Sequence, residues 1–291
     1  MPKVTVNGVS IFYEVTGTGF PLVWSHELAG DYRSWDAQVG YFSRRYQVIT
    51  YNDRGYPPSD VPVGDAHYSQ EQSVEDLHRL LLHLGVRQAY VGGLSMGGSV
   101  ALAYGLAHPE MCRALILAGA GTGSTNPERF ARETSELAAR LEREGTAKWG
   151  EEYAEGPTRV QFKRKDPKGW ERFRDSLAAH SAQGKAYTVR NVQGKRPPIF
   201  AWEERLRQLD VPALIIIGDE DEPCIEPSIF LKRRIPRSGL VVLPQSGHTV
   251  NLEEPALFNQ VVSEFLSAVE AGKWAARDAG SGVGFLAGEG R

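Results

Sequence analysis

With 291 residues, 41% of them hydrophobic and 24% charged, the chain is long enough to bury a sizeable core and has the composition of a globular protein. Its net charge of -3 gives no reason to expect nucleic acid or an anionic membrane as a partner, which leaves small molecules as the expected ligands. Only Cys112 and Cys224 are present, and neither an export signal nor a membrane-spanning apolar run is recognisable, so we expect a cytoplasmic protein without disulfides.

The predicted elements begin with strands and then alternate. The first fifty residues predict a hairpin of two strands, an apolar strand, a helix over about 31–45 and a further strand. From about residue 70 the pattern becomes helix, strand, helix and strand, separated by short glycine or proline segments. Two apolar strands follow much later, at about 211–221 and 239–247, and then a helix from about Pro255 to Ala271. Such alternation predicts an α/β fold with a mostly parallel central sheet and helices on both faces.

The segment between these two blocks differs in composition. Over residues 124–206 strand signals almost vanish, and Glu, Arg, Lys and Ala dominate, so we predict an inserted helical cap. The core is then formed by residues 1–123 and 207–271. Residues 272–291 are rich in Gly and Ala without periodicity, which is typical of a mobile tail.

A candidate nucleophile lies at Ser95, within the run Gly93-Leu94-Ser95-Met96-Gly97, which follows an apolar strand and opens a helix. A sharp turn from strand to helix strains the backbone of its central residue, and small residues two positions away on either side avoid clashes. This geometry presents the serine hydroxyl at the carboxyl edge of the sheet and leaves the N–H of Met96 free to meet an oxyanion. The alternative is a glycine-rich turn with a serine that only caps the helix.

A serine hydroxyl needs a base, and the base needs an orienting carboxylate. His248 follows an apolar strand in a loop that can reach the same edge of the sheet, whereas the other histidines lie in helical or polar contexts. Four carboxylates, residues 219–222, follow the preceding apolar strand. We favour Asp221 because it lies three residues beyond the end of that strand, and we keep Asp219 in reserve; a solvated acidic turn is the alternative interpretation.

These segments together resemble the α/β-hydrolase superfamily, and the order Ser, Asp, His is the order found there. The resemblance covers residues 4–270 and includes the motifs SHELAG, NDRGYPPSD, GLSMGG, GDEDEP and SGHTVNLEEP. It is closest to the branch of small esterases, enol-lactonases, carbon-carbon bond hydrolases and cofactor-free perhydrolases. It implies that the backbone N–H groups of Leu28 and Met96 form the oxyanion hole. His26, Glu27 and Trp202 are candidate substrate-binding residues, with core or cap packing as the alternative for Trp202.

Glu27 departs from the family pattern, in which glycine is usual at this position. A carboxylate that pointed toward a developing oxyanion would oppose it. We therefore expect the Glu27 side chain to face away from that site or to meet an arginine such as Arg54.

The motifs predict a serine hydrolase that cleaves an ester or lactone of a small organic molecule through an acyl-enzyme on Ser95. A carbon-carbon bond hydrolase of the β-diketone type or a perhydrolase would use the same triad, and a ligand-binding receptor on this fold would keep it without rapid turnover. No His, Cys or carboxylate set has the sequence spacing of a metal site, and no dinucleotide fingerprint is present, so we expect neither metal nor cofactor. The sequence leaves the choice between monomer and homo-oligomer open.

The predicted cap is locally basic. Residues 159–196 contain eleven Lys or Arg against three Asp or Glu, interleaved with the aromatic residues Phe162, Trp170, Phe173 and Tyr187. One interpretation is an entrance that attracts anionic substrates. The other is a set of solvated helix faces whose aromatic side chains turn inward.

Overall fold

The central feature of the computed structural model, which describes residues 2–277, is one eight-stranded sheet in the order β1-β2-β4-β3-β5-β6-β7-β8. β1 and β2 form the predicted hairpin, β2 is antiparallel to β4, and every pairing from β4 to β8 is parallel. The carboxyl ends of β3 and β5 to β8 therefore meet at one edge. The strands are Lys3–Val6 (β1), Val9–Thr16 (β2), Phe20–Ser25 (β3), Tyr46–Tyr51 (β4), Ala89–Leu94 (β5), Cys112–Ala118 (β6), Ala213–Gly218 (β7) and Ser238–Leu243 (β8).

Helices cover both faces of this sheet, as predicted. The α-helices are Asp36–Phe42 (α1), Gln70–His83 (α2), Met96–Ala107 (α3), Pro127–Glu144 (α4), Ala147–Ala154 (α5), Val160–Lys165 (α6), Pro167–Ala178 (α7), Ala182–Tyr187 (α8), Glu203–Arg207 (α9), Glu222–Arg234 (α10), Val250–Glu253 (α11) and Pro255–Glu270 (α12). One core cluster joins the sheet to α2, α3 and α10, and a second joins it to α1 and α12. In the second cluster Trp24 of β3 stacks on Trp35 with ring centroids 4.5 Å apart. None of the helices in the described part of the chain is long and apolar enough to cross a membrane.

The chain between β6 and β7 is helical, and it includes the segment that we propose as the cap, residues 124–206. Helices α4 to α8 surround a small apolar cluster, which also takes in Ala29 of the loop after β3 and includes Leu141, Trp149, Phe162, Trp170 and Phe173. The charged faces of these helices lie in solvent, which explains the polar composition of the segment.

Four local differences from the sequence predictions have physical causes. The helix expected over 31–45 is a 3₁₀ turn, Tyr32–Trp35, followed by the shorter α1. Helix α10 was not predicted because Pro223 and Pro227 obscure its pattern; Pro223 lies in the first turn, where proline is tolerated, whereas Pro227 lies inside the helix. Strand β8, predicted as a continuous apolar strand, is half-exposed, since it is the last strand of the sheet.

The fourth difference concerns the predicted tail, residues 272–291. Its first part lies against the core, where the Nε1 of Trp274 donates to the Arg237 carbonyl at 2.8 Å and its ring packs edge-on against Phe265. The remainder, residues 278–291, is outside the described residues.

Candidate active site

Ser95 occupies the turn between β5 and α3, in the strained conformation that the sequence predicts, with φ 56° and ψ -108°. The flanking glycines are sterically required: a Cβ on Gly93 would lie 2.3 Å from the carbonyl of Gly97, and one on Gly97 would lie 2.0 Å from the Ser25 oxygen. The N–H of Ser95 donates to the carbonyl of Ala118, at the end of β6, at 2.8 Å. The turn is thus fixed between the ends of β3 and β6.

Asp221 and His248 form a hydrogen-bonded pair at the same edge of the sheet. Asp221 lies in the turn between β7 and α10, and its Oδ2 is 2.6 Å from the Nδ1 of His248. Both side chains are buried. A Cβ on Gly119 would come within 3.4 Å of both side chains. Because the residue before Gly119 binds the N–H of Ser95, the pair and the serine border the same end of β6.

The other members of the acidic run have different partners. Asp219, the reserve candidate, accepts a hydrogen bond from the N–H of Ser246 at 3.1 Å, and Glu220 accepts one from Gln161 of the cap at 2.7 Å. Glu222 begins α10. The structure therefore pairs His248 with Asp221 and gives Asp219 a role in holding the neighbouring loop.

The loop that carries His248 is fixed by Glu253, a residue that the sequence analysis did not single out. One carboxylate oxygen of Glu253 accepts from the N–H of Gly247 at 2.7 Å, and the other accepts from the N–H and the hydroxyl of Thr249, both at 3.0 Å. Burial raises the pKa of Glu253, against the effect of these hydrogen bonds. The N–H of His248 itself donates to the carbonyl of Thr158, in the cap, at 2.9 Å. The signal available in the sequence was the carboxylate five residues after the histidine.

The buried side chain of His26 holds the loop after β3 through two hydrogen bonds to the backbone. Its Nε2 accepts from the N–H of Asp53 at 3.1 Å, so its Nδ1 carries the proton and donates to the Glu27 carbonyl at 2.8 Å. Burial lowers the pKa of His26 to about 4, which keeps the ring neutral. The carbonyl that it binds belongs to the same peptide as the N–H of Leu28. His26 therefore orients the predicted oxyanion donor, and its ring nitrogens are occupied by backbone rather than facing a substrate.

Leu28 and Met96 present the two predicted donors. Among residues 2–277 no acceptor pairs with either amide N–H, as expected for groups that face a reacting oxygen. The carbonyl of Leu28, which belongs to the next peptide, accepts from the hydroxyl of Tyr56 at 3.0 Å and from the Nζ of Lys185 in α8. The Nζ of Lys185 also lies 4.1 Å from the centroid of the Tyr56 ring. Burial lowers the pKa of Lys185 well below its ordinary value.

Glu27 meets an arginine, but the expected partner was wrong. Its carboxylate binds Arg159 of the cap, with one Nη to Oε distance of 2.6 Å. Arg54 is committed elsewhere, because its guanidinium binds the carboxylate of Asp76 in α2 at 2.6 and 2.8 Å.

Trp202 packs on the main core cluster, half-buried, in the short turn before α9. This is the packing alternative rather than the substrate contact predicted for it. Most of the basic side chains of residues 159–196 pair with carboxylates, and Phe162, Trp170 and Phe173 are buried, which favours the interpretation of solvated helix faces. Arg159 and Lys185 are the exceptions, since both are buried against the loop after β3.

One group of metal-ligand types, Asp221, Cys224 and His248, comes together in space although its sequence spacing did not suggest it. The ligand atoms lie within 4.8 Å of one another. Asp221 and His248 bind each other, and the Sγ of Cys224 donates to the Gly119 carbonyl at 3.2 Å. Burial raises the pKa of the Cys224 thiol, which keeps it protonated and disfavours a thiolate ligand.

The fold and this site together define a class of protein. Ser95 lies in a strained turn after a strand, and Asp221 and His248 are hydrogen-bonded to each other at the ends of two further strands of the same sheet. A family model described as the alpha/beta hydrolase fold matches residues 21–255, and the chain belongs to that family. The fold and the hydrolase class predicted from the motifs are thereby confirmed.

Named relatives are similar over nearly their whole lengths. The chain is 29% identical to 3-oxoadipate enol-lactonase 2 of Acinetobacter baylyi over 265 residues, which cover 89% of this chain and 94% of the relative. It is 27% identical to 2-hydroxymuconate semialdehyde hydrolase of a Pseudomonas species, over 92% of this chain and 94% of the relative. A solved thermophilic esterase from Thermogutta terrifontis superposes with a TM-score of 0.83 at 29% identity, over 92% of this chain and 99% of that chain.

Proposed function

We propose that this hydrolase cleaves carboxylic esters or lactones of small organic molecules through an acyl-enzyme on Ser95. The observation that carries the proposal is the strained serine turn beside the 2.6 Å hydrogen bond of Asp221 to His248. The names of the enol-lactonase and esterase relatives support the choice of bond. The two cysteines are free and buried, which supports a cytoplasmic location as part of the proposal.

In the first half of the proposed reaction, the Oγ of Ser95 attacks the substrate carbonyl while the Nε2 of His248 takes its proton. Asp221 accepts from the Nδ1–H of His248, orients the ring and stabilises the imidazolium that forms. The carbonyl oxygen becomes an oxyanion and is met by the N–H groups of Leu28 and Met96. When the tetrahedral intermediate collapses, the bond to the leaving oxygen breaks, and the imidazolium protonates that oxygen.

In the second half, His248 takes a proton from water, whose oxygen attacks the acyl carbon. Collapse of this second intermediate breaks the ester bond to Ser95, returns the proton to its Oγ and releases the acid. Every proton passes through His248, so the reaction needs no group beyond these side chains and water.

Substitution of Ser95 by Ala tests the nucleophile without knowledge of the substrate. We expect wild type to hydrolyse short-chain p-nitrophenyl esters and to bind a fluorophosphonate probe, and Ser95→Ala to lose both activities while melting at a similar temperature. Ser228→Ala is a matched control, because it removes a buried hydroxyl of α10 for which the described residues offer no partner. Retained turnover in Ser95→Ala, or labelling at another residue by peptide mapping, would contradict the proposal.

A panel of substrates separates the related reactions that share this triad. We expect turnover of esters and enol-lactones to exceed that of β-diketones and the formation of peracid from acid and peroxide. Faster cleavage of a β-diketone would assign carbon-carbon hydrolysis instead. Stoichiometric binding of a ligand without a burst of product would assign a receptor.

A further inference from the structure

The loop after β3 carries a buried negative charge next to a donor of the proposed oxyanion hole. Glu27 is 1% exposed and directly precedes Leu28. Bond lengths alone keep its carboxylate within roughly 6 Å of the Leu28 nitrogen. In the proposed reaction negative charge develops on the substrate oxygen that this N–H meets, and an uncompensated carboxylate in such a dry site would oppose it strongly.

The compensating charge comes from the cap. Arg159, at the start of α6, places its two Nη atoms 2.6 and 3.4 Å from the two carboxylate oxygens of Glu27. The same guanidinium donates to the hydroxyl of Tyr153 at 2.6 Å and lies 5.5 Å from the centroid of the Phe173 ring. Burial alone would lower the pKa of Arg159, but Glu27 and Tyr153 raise it above its ordinary value. The guanidinium is therefore a permanent cation. One Nη binds both Glu27 and Tyr153, the other reaches Glu27 at 3.4 Å, and the Nε–H has no partner among the described residues.

The position of this arginine in the chain links the charge to the rest of the site. The preceding residue, Thr158, accepts the N–H of His248, and Lys185 of α8 binds the carbonyl of Leu28. The cap thus contacts the loop that carries His248, and it contacts the loop after β3 at both Glu27 and Leu28. Of these contacts, Arg159 is the one that forms an ion pair with the Glu27 carboxylate.

We propose that Arg159 is a positioning residue that neutralises Glu27, so that the oxyanion hole is electrostatically complete only while the cap lies on the loop after β3. This inference rests on the proposed function. The substitution of glutamate for the usual glycine is then tolerated because the cap supplies its counter-charge.

The two partners have opposite signs, and this makes the proposal testable with Arg159→Gln, Glu27→Gln and the double variant. We expect Arg159→Gln to lower kcat for a neutral p-nitrophenyl ester, and the rate of fluorophosphonate labelling, by about 10²-fold, comparable to the loss of one oxyanion donor. We expect Glu27→Gln to stay within about threefold of wild type and the double variant to recover at least about tenfold over Arg159→Gln, since neither leaves an anion beside the oxyanion. KM should change little in all three.

A purely structural clamp gives a different pattern. It predicts that Glu27→Gln falls as far as Arg159→Gln and that the double variant shows no recovery, and this result would overturn the proposal. Arg159→Lys, which keeps the positive charge, should retain most of the activity. If Arg159→Gln does not fold, Glu27→Gln and Arg159→Lys decide the question, because activity in both supports neutralisation and loss of activity in Glu27→Gln overturns it.

Arg190→Gln is the matched control. Arg190 is also a cap arginine that reaches the core, binding Asp65 at 3.2 Å, and it pairs with Glu142 of α4 at 2.7 Å. We expect its loss to leave kcat and labelling unchanged. A fall equal to that of Arg159→Gln would show that any ion pair between cap and core has this effect, and would overturn the specific role of Arg159.

Failure of the proposed function is distinguishable from failure of this inference. If wild type neither labels nor hydrolyses, the serine mechanism fails, and denaturant unfolding of the same four proteins still tests the charge pairing. A coupling of at least about tenfold in the unfolding equilibrium constant between positions 27 and 159 supports neutralisation. A coupling near onefold overturns it.

Discussion

Replacing Asp221 by Asn changes the charge of the group that orients His248 while keeping its size. The carboxylate and the ring are joined by a 2.6 Å hydrogen bond, which puts the centres of charge of carboxylate and imidazolium about 4 Å apart. At that separation and an effective dielectric constant near 20, the lost attraction is about 4 kcal/mol. If all of it is felt in the transition state, kcat falls about 10³-fold.

The amide adds a second effect, because its NH₂ donates to the Nδ1 of His248 and favours the tautomer with the proton on Nε2. The wrong tautomer extends the expected loss toward about 10⁴-fold. The measurement is kcat for p-nitrophenyl esters together with the rate of fluorophosphonate labelling. The control is Asp219→Asn, which removes the charge of the acceptor for the Ser246 N–H but no contact with the ring, and should cost less than about tenfold in kcat. Equal losses in the two variants, or more than a tenth of wild-type activity in Asp221→Asn, would refute this reasoning.

Two further predictions concern carboxylates outside the triad. Glu253→Ala should lower kcat about 10- to 100-fold with little change in KM, since the loop of His248 loses its acceptor. The control is Glu254→Ala, which removes an ion pair with Lys165 and should leave kcat unchanged. Equal effects of the two substitutions would count against a positioning role for Glu253. Burial, reinforced by Asp76, raises the pKa of Asp53 to about 7. The folded protein therefore holds the proton of this carboxyl more tightly than the unfolded chain. The stabilisation is fully present below pH ~4 and is lost as the pH rises through 7, so the free energy of unfolding falls by about 3 kcal/mol between pH 5 and 8. Denaturant unfolding at these two pH values should show that Asp53→Asn removes this dependence, and an unchanged slope would contradict it.

Much of the fold was predictable because it depends on local patterns. The alternation of apolar strands with helices predicts the parallel sheet. The glycines around Ser95 indicate a sharp turn, because only small residues fit beside it. Helix α10 was not predicted because Pro223, in its first turn, and Pro227, inside the helix, mask the pattern.

The partners of the site residues were less predictable, because they depend on contacts between distant parts of the chain. Asp221 and Asp219 are alike in sequence, and only the turn into α10 decides which carboxylate meets His248. The expectation for Glu27 was right in kind but wrong in partner, since Arg159 is 132 residues away and reaches the loop only through the packing of the cap. Arg54 was a candidate partner for Glu27 in the sequence, but in the fold it forms an ion pair with Asp76 instead.

The hydrogen bond from the N–H of His248 to the carbonyl of Thr158 has a consequence for how such a cap changes over evolution or in engineering. Exchange of the proposed cap is an obvious route to new substrates, because residues 124–206 form one stretch of chain. Here the transplanted segment must bring a backbone carbonyl to the same point, whatever its side chains, or the base loop loses an anchor. Chimeras that keep residues 156–161 and vary the helices on either side should therefore accept new substrates at a smaller loss of turnover than chimeras that replace the whole insertion.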